Sequence, residues 1–191
     1  IPSDILEIKS HSLAGFVLES LIIEPRAEEL YFSSEYMNYS TAINSIYVNS
    51  LEEWFMMKYE DLYNIVYATD SVLYINNSPL ENLDLLSNID ITEIPSYTFA
   101  GCSSLLTINI PDQIKVVGEG AFYGCYNLTE LVLPKELIYI QEYAFYNCTS
   151  LESVTFLSNE KGDTCPLIRE YAFAGNKKLK NINLENIEII G

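Results

Sequence analysis

The stretch EYAFYNCTSLESVTFL, residues 142–157, decides how this chain folds, because its Ala-Phe, Cys and Leu residues recur at the same spacing in EGAFYGCYNLTELVLP, residues 119–134. The two copies are 23 residues apart, and so are Phe99, Phe122 and Phe145. A fixed period of this length is the sequence signature of a repeat protein, in which each period forms one structural unit.

A second pattern marks the strands of these units: an apolar residue with two more at the third and fifth positions after it. It occurs in the segments 18–23, 43–48, 80–85, 105–110, 128–133, 151–156 and 179–184. The alternating end of each segment predicts a short strand with two side chains facing the core. We therefore predict one solenoid over residues 1–191, with about seven strand rungs.

The fold class follows from the size of the unit. A unit of about 23 residues cannot bury its own apolar face, so consecutive units must stack, at about 4.8 Å per rung. The strands then form a parallel sheet on one face. The segments AFYGC (121–125) and AFYNC (144–148) suit single helical or 3₁₀ turns on the opposite face. We predict an α/β repeat solenoid.

Two irregular steps interrupt the period. Residues 49–79 contain a capping-box pair, Ser50 and Glu53, which predicts a helix from about Leu51 to Lys58. Two alternating runs around 76–79 predict a hairpin after it. Trp54 and its neighbours could form a binding knob, but packing onto the solenoid core is favoured because large aromatic side chains are usually buried. A second insertion, a loop, covers residues 157–165.

The combined pattern LxxLxLP followed by LxxIxxxAFxxCxxL resembles the BspA-like leucine-rich repeats. The resemblance is strongest over residues 80–184 and weaker over 1–48, where the Phe and Cys positions are substituted. It implies a right-handed leucine-rich-repeat superhelix with the sheet on its concave face and the turns on its convex face. It also implies a secreted or cell-surface protein that acts in adhesion and protein binding.

The composition excludes several partners. The chain has 10 Lys and Arg against 27 Asp and Glu, a formal charge of −17, so it lacks the basic patch that nucleic-acid binding requires. No apolar run approaches the length of a membrane span, so we expect no membrane insertion in this segment. Because the sequence begins at Ile1 and ends at Gly191 within the pattern, the absence of a signal or an anchor from it is uninformative.

The sequence gives little support for a catalytic site or a metal site. Cys102, Cys125 and Cys148 occupy equivalent positions and are expected to be free, buried thiols. Cys165 lies in the loop insertion, and the single histidine, His11, is on the first unit, on the order of 29 Å away at about 4.8 Å per rung. A Cys-His or Ser-His enzyme is therefore excluded. We predict no metal site and no cofactor, since CxxC, HExxH and calcium-loop patterns are missing.

Gly118 and Gly120 in VVGEGAF superficially resemble a phosphate loop. The stretch lacks a third glycine or a Gly-Lys-Ser, which favours a structural role in a turn.

A partner would sit on the exposed face of the strands, where one residue of each strand points away from the core. The candidate binding residues on this concave face are Tyr47, Asp84, Asn109, Glu130, Val132, Ser153, Thr155 and Asn183. These positions vary from unit to unit, whereas the inward positions stay apolar. The convex side is the competing surface, because several tyrosines fall beside the Phe turns, although they can equally cover the edge of the core.

Three function classes remain. The sequence favours a non-catalytic scaffold that binds a protein or peptide through the concave strand face, with a host extracellular-matrix protein as one candidate partner. The alternative is a structural spacer in a larger surface protein with no ligand of its own. An enzyme is the least favoured class, because a fold supports many functions and only a site identifies chemistry.

Overall fold

The computed structural model describes residues 1–2, 4–5, 7–8, 17–25, 30–32, 42–59, 72–84, 90–157, 166–182 and 188–189. Over the first part the elements are β1 (Glu7–Ile8), β2 (Val17–Ile22), β3 (Leu30–Phe32), β4 (Ala42–Val48), α1 (Leu51–Phe55), β5 (Met57–Tyr59), β6 (Val72–Ile75) and β7 (Ser78–Pro79). The remaining strands are β8 (Asn82–Asp84), β9 (Glu93–Ile94), β10 (Thr107–Asn109), β11 (Val116–Val117), β12 (Glu130–Leu133), β13 (Tyr139–Ile140), β14 (Ser153–Phe156), β15 (Leu167–Ile168), β16 (Asn181–Ile182) and β17 (Glu188–Ile189).

Two parallel sheets enclose the core in the carboxy-terminal part of the chain. The first, which we call the front wall, has the order β16-β14-β12-β10-β8 and contains the strands that the apolar pattern marks. The second, the back wall, has the order β17-β15-β13-β11-β9. Leu131 pairs with Val154, one unit later, so each strand lies on its equivalent in the next unit. The predicted solenoid of stacked parallel strands is confirmed.

The predicted helical turns on the opposite face are not found. In the described residues the only α-helix is α1, and the AFxxC segments are turns that connect the back wall to the front wall. Alternate backbone donors of these turns bond to the neighbouring rung: Phe99 N donates to Ala121 O, and Phe122 N to Ala144 O, both at 2.8 Å. The donors between them close short turns within the segment, as Tyr123 N does by donating to Gly120 O at 2.9 Å. A helix would need every donor for bonds within its own segment, so stacking limits these segments to turns.

A ladder of phenylalanine rings fills the space behind the turns. Phe99, Phe122, Phe145 and Phe173 stack with centroids 5.4, 5.2 and 5.3 Å apart and nearly parallel planes. The first three are fully buried. Identical residues at one spacing place identical rings above one another, and offset stacking adds to the free energy of burial.

The amino-terminal part is also built from two parallel sheets, but one of them ends in an antiparallel strand. β2, β4 and β6 form a parallel sheet equivalent to the front wall, and β1, β3 and β5 form a second parallel sheet. Here the structure differs from the predicted insertion. β6, the first arm of the hairpin, pairs parallel with β4 and is itself a rung, while β7 turns back antiparallel to it. Asn76 and Asn77, both with positive φ, form the connecting turn.

The helix α1 links the two parts of the solenoid. It begins after Ser50, whose hydroxyl accepts from Glu53 N at 3.3 Å, and it ends at Phe55, three residues before the predicted end. Trp54 is 1% exposed and donates its indole N–H to Thr98 O at 2.9 Å. Phe55 contacts Phe99 edge to face at 5.7 Å. The core interpretation of Trp54 is confirmed, and α1 covers the first ring of the ladder.

Candidate functional site

Strand alternation defines the exposed face of the front wall. Leu83, Ile108, Leu131 and Val154 point into the core and are at most 6% exposed. The residues after them point outward, as do the equivalent residues of β2, β4 and β6. Strand pairing aligns them in two sets: Ile22, Tyr47 and Tyr74 on β2, β4 and β6, and Asp84, Asn109, Val132 and Thr155 on the front wall. A second row lies two positions earlier: Ser20, Ser45, Val72, Asn82, Thr107, Glu130, Ser153 and Asn181. We call these two rows the outward strip.

The structure places the predicted site residues as follows. Tyr47, Asp84, Asn109, Val132 and Thr155 lie in the first row. Glu130 and Ser153 are directly paired in the second row. Asn183 lies outside the described residues. Of the sequence-predicted residues that the structure describes, Tyr47 thus lies on the amino-terminal sheet, and the others lie together on the front wall.

Hydrogen bonds between rungs order the polar part of the outward strip. Thr107 Oγ1 donates to Asn82 Oδ1 at 2.7 Å, and Asn109 Nδ2 donates to Asp84 Oδ1 at 3.2 Å. These bonds restrain the side chains at one rung spacing from each other. A partner that docks here would meet positioned donors and acceptors, which lowers the side-chain entropy lost on binding.

Tyr74 is a member of the first row that is absent from the predicted site residues. Its ring stacks on that of Tyr47 with centroids 4.5 Å apart and planes 18° apart. The pattern failed here because the apolar position three residues before Leu73 is occupied by Asp70. The alternation in VLYI, residues 72–75, was the available signal, since it resembles the second half of every other strand.

The tyrosines beside the Phe turns form the competing surface. Tyr97 is buried, and its hydroxyl donates to Glu119 Oε1 at 2.6 Å. Tyr143 stacks on Tyr171 at 5.2 Å, and Tyr123 stacks on Tyr146 at 5.0 Å. These rings cover one another and the edge of the core, and Tyr171 is the most exposed of the large apolar residues on these turns, at 56%.

The three repeat cysteines are buried and free, as predicted. Burial raises the pKa of the Cys102 thiol to about 12. Burial also raises the pKa of Cys125 well above its usual value, and a hydrogen bond with Cys148 adds to the shift. A thiol of this kind is neutral at physiological pH and a poor nucleophile. Cys165 and His11 lie outside the described residues.

The glycines of VVGEGAF have a structural explanation. A Cβ on Gly118 would lie 2.6 Å from Ser96 N, and Gly120 has a φ of +56° with the Tyr97 ring against it. Both glycines allow close approach between rungs, in agreement with the structural interpretation. Within the part of the chain that the structure describes, no three His, Cys, Asp or Glu side chains come together as a metal site would require.

The described residues contain no helix of the length and apolar character that crossing a membrane requires.

Comparison with known proteins identifies the repeat. The model of the BspA type leucine rich repeat region matches residues 92–191 in 6 copies. A comparison with curated proteins finds no match.

Two solved structures are similar to this chain. One is a leucine-rich repeat protein from Bacteroides ovatus ATCC 8483, with 24% identity and a TM-score of 0.49, which covers 95% of this chain and 41% of that one. The other is a leucine rich cell surface protein from Faecalibacterium prausnitzii A2-165, with 16% identity and a TM-score of 0.49, which covers 84% of this chain and 51% of that one. The chain thus spans about half or less of each. On the strength of its matched repeats, the chain belongs to the BspA-type leucine-rich repeat family.

Proposed function

We propose that this chain is a non-catalytic binding scaffold that holds a protein or peptide partner on the outward strip. One observation carries the proposal: inward residues stay apolar from rung to rung, whereas the outward residues beside them change from Ile and Tyr to Asp, Asn, Val and Thr. The core needs only the inward set. Repeat proteins of this kind keep their stacking residues constant and place recognition on a variable surface.

The partner that fits the strip is a protein. The strip combines aromatic rings, hydrogen-bonding side chains and isolated carboxylates on a flat parallel sheet, and such mixed surfaces are typical of protein interfaces. The family resemblance supports a location outside the cell or at its surface, which we propose for this chain. A host extracellular-matrix protein is the partner that this location suggests.

The test is a binding screen of the chain against a panel of purified extracellular-matrix proteins by surface plasmon resonance. The variant Tyr47→Ala, Asp84→Ala, Glu130→Ala removes three different contacts on the strip. The control Tyr139→Ala, Asp90→Ala, Glu93→Ala makes the same changes at other exposed positions, two of them on the back wall. We expect at least about a tenfold loss of affinity for the first variant and little change for the control.

Two results would count against the proposal. Binding that the strip variant leaves unaltered excludes the strip as the binding surface. A complete lack of binding across the panel favours the second candidate function, a structural spacer in a larger surface protein. The observation in favour of a spacer is the regular stacking of the carboxy-terminal units, whose recurring inward Phe, Cys and Leu residues would suffice to provide length. Circular dichroism spectra of both variants must match that of the unmodified chain.

A further inference from the structure

The amino-terminal end of the outward strip is apolar. Ile22, Tyr47 and Tyr74 are direct neighbours on three successive parallel strands. Ile22 is 62% exposed, and the two tyrosine rings are stacked. Burial of an aliphatic side chain in the core explains why most rungs carry Leu or Ile inward, but it does not explain an isoleucine that points outward beside two aromatic rings.

A cleft opens beside these side chains, with a volume of about 260 Å³. Ile22, Ile23, Tyr47 and Val48 contribute to its lining, and Asn49 and Asn77 add two exposed amides. Pockets for drug-sized molecules begin at roughly 300 Å³ and enclose most of their ligand. The cleft is therefore of a size for one bulky side chain rather than for a small molecule of its own.

The hairpin turn forms one side of this cleft and explains why it exists. Asn76 N donates to Val48 O at 2.9 Å, which holds the turn against the end of β4. Asn76 and Asn77 have φ of 49° and 62°, the left-handed conformation that a two-residue hairpin requires. The exposed Asn77 amide therefore comes to the same place as Asn49, where both can bond to the backbone of a docked peptide.

The charge of the outward strip indicates which residues flank the bulky side chain in the partner's sequence. Among the described residues of the two rows, Asp84 and Glu130 are charged and neither Lys nor Arg occurs. The whole chain has a formal charge of −17. A field of one sign attracts oppositely charged partners and disfavours like-charged ones.

We infer that the cleft receives one bulky apolar side chain from an extended, basic segment of the partner protein; the inference rests on the proposed function of the strip. The anchor contacts Ile22 and the edge of the stacked rings, and the two asparagine amides bond to the backbone beside it. Lys or Arg residues along the segment lie over the rungs of Asp84 and Glu130. An apolar anchor ringed by polar contacts is the usual arrangement of a hot spot.

The experiment uses a random library of linear 12-residue peptides displayed on phage and selected against the whole chain. Recovered sequences are synthesised, and their affinities are measured by fluorescence anisotropy. We expect each binding peptide to combine one Phe, Trp, Tyr, Leu or Ile with several Lys or Arg. Changing that apolar residue to Ser should weaken binding at least about tenfold, and higher salt should weaken it further.

A double-mutant cycle places the anchor. Ile22→Ser should weaken the parent peptide at least about tenfold but have little effect on the peptide that already lacks its apolar residue, because both changes remove the same contact. Tyr74→Ser should behave in the same way. The matched control is Ile138→Ser, which changes an isoleucine of similar exposure, 42%, outside the outward strip. If Tyr74→Ser weakens the fold, the cycle with Ile22→Ser alone tests whether the anchor binds in the cleft.

The outcomes separate this inference from the proposed function. Peptides that depend on Asp84 and Glu130 but are unaffected by Ile22→Ser overturn the anchor and leave strip binding intact. Acidic binding peptides overturn the stated charge of the partner segment. If no recovered peptide depends on any residue of the strip, the anchor and the proposed function both fail.

Discussion

The two parts of this solenoid stack aromatic rings in different places, inside the core in one part and on an exposed sheet face in the other. From Phe99 to Phe173 the rings form a ladder inside, about 5.3 Å apart. In the amino-terminal part the strand β6 brings Tyr74 onto Tyr47 on the outside, at 4.5 Å. The inner ladder stabilises the stack, because its first three rings are fully buried. The outer pair is only half-buried, which leaves ring surface for the proposed contact with a partner.

The difference separates a buried ladder, which stabilises the stack, from exposed rings, which we propose for recognition. Units with the same residue at the Phe position produce a ladder because each ring lies on its equivalent, one rung away. Where the period is broken, between β4 and β8, the structure gains a helix, a hairpin turn and the cleft beside Ile22. Irregular segments on a regular scaffold commonly provide the binding residues of a protein.

The largest expected effect comes from breaking the inner ladder. Phe122→Ala removes a fully buried ring that stacks on both neighbours, and it should lower the free energy of unfolding by about 3–5 kcal/mol. Urea unfolding followed by circular dichroism measures the change. Tyr126→Ala, at a 37% exposed residue of the same unit, is the control and should cost much less. Equal effects for the two variants would refute the ladder as the main source of stability.

Alkaline pH should weaken the regular part through Cys102. Its pKa is raised by burial from 9.0 to about 12, so the unfolded chain loses this proton first as pH rises. The stabilising contribution is complete below about pH 9 and is lost between about pH 9 and 12, at about 1.4 kcal/mol per pH unit at most. Cys102→Ala should show a shallower decline of stability over this range. An identical decline in the variant would show that the thiol does not stay neutral in the fold.

The junction between the two parts depends on the indole of Trp54. Trp54→Phe keeps an aromatic ring but removes the N–H that donates to Thr98 O, and it should cost about 1–2 kcal/mol, since a buried hydrogen bond is lost. Hydrogen exchange should then show faster exchange near residue 98 than in the rungs of β12 and β14. Exchange that speeds up equally throughout the stack would contradict a local junction.

The smallest effect concerns a single turn. Asn147 has a φ of +59°, and the equivalent residues of the other units are Gly101, Gly124 and Gly175. Asn147→Ala should cost about 1 kcal/mol because a Cβ is disfavoured in the left-handed conformation, whereas Asn147→Gly should stay within about 0.5 kcal/mol of the parent. Thermal unfolding of the pair checks this. A larger loss for the glycine variant would mean that the Asn147 side chain itself is needed.

Sequence reasoning reached most of the first row, including Tyr47, but missed Tyr74. The spacing of Leu131 and Val154 predicted the pairing of β12 and β14, and alternation then fixed which side of each strand faces out. Tyr74 escaped because its rung lacks the leading apolar residue, and the predicted helical turns are not found because alternate donors bond across rungs. In each case a contact between distant residues overrode the local pattern.

The sequence by itself determined the period, the inward residues and the buried thiols, because each of these repeats at a fixed spacing and a stack converts spacing directly into contact. Only the tertiary structure decided that β6 is a rung, that α1 covers the first ring of the ladder and that a cleft lies between Ile22 and the hairpin turn. The physical reason is that these features join residues of non-equivalent units, so no period in the sequence records them.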